Sequence, residues 1–132
     1  MTDYEIVDLM QSHIESLGAI GTYLITGVFG FIIACYVAGK KMSTLAFWGL
    51  ASIYLPYATI QILGIYSNLT RLNAILLEAA SRQTLTEEIE VFSDSAMVGT
   101  DIYVPVMMSY YIFAVLASLV FGWAIQTGRL RL

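Results

Sequence analysis

Three uninterrupted runs without Asp, Glu, Lys, Arg or His, residues 17–39, 42–66 and 102–125, constrain this chain more than any other feature it has. At about 1.5 Å of rise per residue, each is long enough to carry a helix across roughly 30 Å of hydrocarbon. Strands are a poor alternative, because three of them cannot close a barrel and an open sheet edge in lipid leaves backbone groups unsatisfied. The expectation is an all-α integral membrane protein, a single membrane domain over residues 1–132 with three transmembrane helices. Hydrophobic residues at 58% against charged ones at 12% agree with it, since a soluble core of this size needs far less apolar sequence.

The charged residues all lie outside those runs. All ten acids fall in residues 1–16 and 67–101, whereas Lys40 and Lys41 sit in the short link between the first two runs and Arg129 and Arg131 in the basic tail 126–132. With three crossings the link and the tail share a side. The positive-inside rule makes it cytoplasmic and leaves the N-terminus outside, by four basic residues against Arg71 and Arg82. Trp48 and Trp123 then fall toward the cytoplasmic boundary, where amphipathic rings are favoured. A bacterial inner membrane is the default expectation for so compact a chain.

Thr2 and Glu5 have the spacing of a capping box, and Ile6, Met10, Ile14 and Leu17 follow at helical intervals. This predicts a short amphipathic helix over residues 3–16. Its acids stand where a signal peptide would carry basic residues, so the segment is expected to be retained. In the connection 67–101, Leu69, Leu72, Leu76 and Ala79 form one helical face, as a short amphipathic helix or as the second span continued out of the bilayer. Thr84 and Glu87 suggest another capping box, before Leu85, Ile89, Phe92 and Ala96. Glu87, Glu88 and Glu90 read as a solvated face, because the ligand spacing and glycine of a calcium loop are missing.

Two helix surfaces carry packing signals. Ala19, Tyr23, Thr26, Gly30, Ala34 and Ala38 share a side of the first run, and Met107, Tyr110, Ala114, Ala117, Ser118 and Gly122 a side of the third. The series Gly30, Ala34, Ala38 and Ala114, Ser118, Gly122 are the candidate packing residues, since small side chains let helix backbones approach closely where lipid gives no hydrophobic drive. The second run has a directional polar face, Tyr54, Tyr57 and Gln61 with Gly64 among them, that continues to Asn68 just beyond it. One reading is a polar cavity, closed by Tyr110, for a quinone, lipid headgroup or small solute. The other is hydrogen bonding to neighbouring helices, preferred here because no ionisable residue accompanies the face. Pro56, inside this run, removes one backbone donor.

Cys35 alone cannot form an intrachain disulfide and reads as a small buried residue. His13, also alone, reads as a solvated surface residue. The sequence displays no nucleotide loop, metal-ligand spacing or activated nucleophile, so it predicts neither an enzyme nor a cofactor or metal site. The expected function is that of a non-catalytic accessory or scaffold subunit associating through its helix faces, with membrane lipid and another membrane protein or itself as partners. The acidic outer segments disfavour nucleic acid. The alternative is a homo-oligomeric transporter or channel for a small neutral or weakly polar solute.

Overall fold

A computed structural model describes residues 2–81 and 102–130. Three α-helices account for almost all of them: α1 over Asp3–Ala38, α2 over Thr44–Ser81 and α3 over Tyr103–Gln126, with a 3-10 turn at Gly39–Lys41. No strand occurs among the described residues. All three helices are long and apolar enough to cross a membrane. At about 1.5 Å per residue α1 and α2 run about 54 and 57 Å, well beyond a roughly 30 Å hydrocarbon layer.

The two short amphipathic helices are therefore not separate elements. Residues 3–16 are the first turns of α1, and residues 67–81 are the last turns of α2, the continuation that was one of the two expectations. Neither junction carries a breaker strong enough to stop a helix. Gly18 lies inside α1, with its neighbours keeping helical hydrogen bonding. The second capping box at Thr84 and Glu87, the Leu85 to Ala96 face and the glutamate cluster lie outside the described residues.

The ends follow local chemistry. At the start of α1 the capping box closes in both directions: Thr2 N–H donates to Glu5 Oε2 at 2.7 Å and Glu5 N–H to Thr2 Oγ1 at 3.3 Å. Gly39 takes a left-handed φ of 50° and ends the helix. Ser43 then caps α2, its Oγ accepting from Ala46 N–H at 3.1 Å. Pro105 falls in the first turn of α3, where a missing N–H costs nothing. Gly128, with φ 69°, closes α3, and Arg129 and Leu130 N–H both return to the Ala124 carbonyl.

The chain divides into two compact units, Met1–Ile20 with Gly64–Ser109, and Gly21–Leu63 with Tyr110–Leu132. In the first, Ile6, Ile65, Leu69, Leu72, Leu76, Ala79 and Tyr103 are buried. In the second the core is Leu24, Phe31 and Cys35 of α1, Phe47, Ala51, Tyr54 and Ala58 of α2, and Val115, Ser118, Gly122 and Ile125 of α3. Within this unit the buried positions recur at alternating steps of three and four along α2 and α3, the spacing that keeps one stripe facing a neighbouring helix. The opposite faces are apolar and open: Phe29 and Ile33, Ile53 and Ile60, Phe113 and Val120 are all more than half exposed. Only 11% of the most apolar stretch of α3 is covered by the rest of the chain, so its hydrophobicity serves something other than an internal core.

Candidate functional site

Three of the four α2 positions singled out by their polarity, Tyr54, Tyr57 and Asn68, are tied to neighbouring helices by hydrogen bonds. In the second unit, Tyr54 is 6% exposed, stacked on Phe31 with ring centroids 4.4 Å apart, and its hydroxyl lies 2.9 Å from Ser118 Oγ. Ser118 spends its own proton on the Val115 carbonyl at 2.7 Å, so the proton between the two hydroxyls belongs to Tyr54. One turn along, Tyr57 donates to the Tyr23 carbonyl of α1 at 2.7 Å. Its ring lies over Gly27, where a Cβ would collide with Tyr57 Cε1. Gln61 is half-buried. Tyr110 stands outward at 67% exposure and joins none of these hydrogen bonds. It is Tyr111 that turns in, its hydroxyl 3.7 Å from where a Cβ at Gly21 would lie.

Asn68, the remaining polar position, belongs to the first unit. Its Nδ2 donates to the Gly64 carbonyl at 2.9 Å, and its Oδ1 lies 3.0 Å from His13 Nδ1 on α1. A carbonyl oxygen only accepts, so the network assigns the proton to Nδ1 of His13. His13 is thus half-buried in an interhelical bond, not a solvated surface residue. A lone histidine gives no hint of this in sequence, because its partner is 55 positions away.

The small-residue series divide in the same way. On α3, Ser118 and Gly122 are buried and Ala114 half-buried. A Cβ at Gly122 would sit 2.9 Å from Cys35 Sγ, 3.0 Å from Phe31 Cε1 and 3.3 Å from Phe47 Cε2. On α1, by contrast, Gly30 is exposed with nothing within 4 Å of an added Cβ, and Ala34 and Ala38 are half-buried. The buried stripe of α1 runs instead through Gly21, Leu24, Phe31 and Cys35. Large side chains of α1 and α2 fill the gap left by the small ones of α3, so close approach needs a glycine on one partner only.

Two open grooves on the second unit are formed by described residues. The smaller, about 250 Å³, is lined by Gly27, Gly30, Phe31, Leu50, Ile53, Tyr54 and Tyr57. The larger, about 460 Å³, is lined by Phe47, Trp48, Leu55, Leu119, Val120 and Trp123. The guanidinium of Arg129 lies over the Trp123 ring, 4.7 Å from its centroid, a cation–π contact. Among the described residues no group of three His, Cys, Asp or Glu side chains gathers as a metal-ligand set. Comparisons with protein-family models, with curated proteins and with solved structures each returned no match.

Proposed function

We propose that the chain is a small integral membrane protein acting as a non-catalytic accessory or scaffold subunit that joins a membrane-protein partner through its helix faces. The observation that carries this reading is the engagement of the polar side chains of α2 within the chain itself. Tyr54 is bonded to Ser118, Tyr57 to Tyr23 and Asn68 to His13. Helices held together in this way spend their polar groups on packing and present apolar surface outward, as Phe29, Ile53 and Phe113 do here. In the proposed orientation the Gly39–Lys41 turn and the C-terminus face the cytoplasm and the acidic segments lie on the opposite side. Native mass spectrometry of the tagged protein, extracted from its own membrane under mild conditions, tests the reading. A heteromeric mass is expected. A monomer or pure homo-oligomer in every mild detergent overturns it.

A second reading draws on the smaller groove, which contains both Tyr54 and Tyr57. A homo-oligomeric transporter or channel for a small neutral or weakly polar solute would use this face, since no Asp, Glu, Lys, Arg or His lines it. Proteoliposome flux above that of empty liposomes, reduced by Tyr57→Phe, is its expected signature. Flux equal to empty liposomes for ions and small solutes removes it.

A further inference from the structure

We propose that the larger groove is a site for an anionic phospholipid, with an acyl chain along Leu55, Leu119 and Val120 and the phosphate at the Arg129 guanidinium. Its volume of about 460 Å³ lies within the about 300–1,000 Å³ of small-molecule sites. Its lining is apolar throughout and suits a hydrocarbon chain rather than a headgroup. The groove is directional. Leu55 lies three turns into α2, whereas Trp48 and Trp123 stand near the end where Gln126 Nε2 donates to Thr44 Oγ1 at 3.2 Å. Tryptophan pairs at one depth mark the level of the headgroups, which puts the mouth of the groove where a phosphate would lie.

Charge complementarity selects the headgroup. Residues 21–63 and 110–132 include Lys40, Lys41, Arg129 and Arg131 and not one Asp or Glu, while all ten acids belong to the other unit. Arg129 lies beside the groove, its guanidinium over the ring of Trp123, itself a wall of the groove. A guanidinium stacked through its face still presents its in-plane N–H donors, the geometry that grips a phosphate with two bonds. A neutral zwitterionic lipid would add a cation beside this basic end; an anionic one such as phosphatidylglycerol adds none. The site rests on insertion of the three helices in a bilayer and is independent of the accessory-subunit reading.

The two groove tryptophans are the only ones in the chain, so tryptophan emission, excited selectively over that of the tyrosines, comes from the walls of this groove. The full-length protein is reconstituted in phosphatidylcholine vesicles that contain a low, matched mole fraction of acyl-brominated phosphatidylglycerol or acyl-brominated phosphatidylcholine. About a fivefold stronger apparent association, read from quenching, is expected for the glycerol lipid, the gain of one basic residue near anionic lipid. Arg129→Gln is expected to bring that ratio to about one, and Val120→Phe, which fills the groove from an exposed position, to lower quenching by the glycerol lipid toward the choline level. Equal quenching by the two lipids, or a preference untouched by both substitutions, overturns the proposal. Quenching by neither also overturns it, because protein such as a second copy of the chain would then cover the groove. Failure of the protein to float with the vesicles would instead remove membrane insertion itself, a separate and visible outcome.

Discussion

The Tyr57 hydroxyl of α2 donates to the main-chain carbonyl of Tyr23 on α1 across 2.7 Å. That carbonyl already accepts the amide of Gly27 within the helix, and the Tyr57 ring covers Gly27. Glycine, carbonyl and tyrosine thus form one joint. Adding a methyl at Gly27 pushes the ring aside and breaks the hydrogen bond together with the ring packing. Tyr57 is 37% exposed, so it has somewhere to go.

Gly27→Ala and Tyr57→Ala should therefore each cost on the order of 1 kcal/mol, and the double variant no more than either alone. Unfolding in mixed detergent micelles, followed by circular dichroism, measures the coupling. Additive losses would mean that the two residues act separately.

Gly122→Ala should be the more damaging glycine substitution. Its Cβ meets Cys35, Phe31 and Phe47 at once, and overpacking a core of this kind costs about 1–3 kcal/mol. Gly30→Ala and Gly49→Ala meet nothing within 4 Å, and in helix interiors should be neutral or stabilising by up to about 1 kcal/mol. Cys35 is buried and is the sole thiol, so its alkylation rate in detergent reads the outcome. Gly122→Ala should speed labelling and Gly30→Ala should not.

Ser118→Ala should cost more than Tyr54→Phe. In the second variant Ser118 keeps its bond to the Val115 carbonyl. In the first, the hydroxyl of Tyr54, a residue 6% exposed, loses its acceptor, and an unpaired buried donor costs about 1–3 kcal/mol. Equal losses in the same unfolding assay would place the proton differently between the two hydroxyls.

His13→Ala should loosen one unit and spare the other. The His13 to Asn68 bond joins α1 to α2 within the first unit, and local opening follows such cooperative units. Hydrogen exchange should speed up at residues 6–17 and 65–79, with residues 24–35 and 115–125 unchanged. Uniform acceleration would show that the chain opens as a whole.

Three helices long and apolar enough to cross a membrane were legible in the residues alone, whereas the continuity of residues 3–16 with α1 was not. Uncharged runs of this length can satisfy their backbones only as helices, and the capping box, Gly39 and Pro105 mark their ends through chemistry that acts within a few residues. The polarity of one α2 face was equally plain in Tyr54, Tyr57, Gln61 and Asn68. Which groups those side chains meet emerged from the packing of the helices. Periodicity gives the angle of a residue around its own helix and says nothing of what stands opposite. The small residues of α3 therefore met large ones of α1, leaving Gly30 in the open, and His13 found Asn68 from far along the chain. Partner choice depends on volumes and donors brought together from different helices, and no spacing within one helix encodes it.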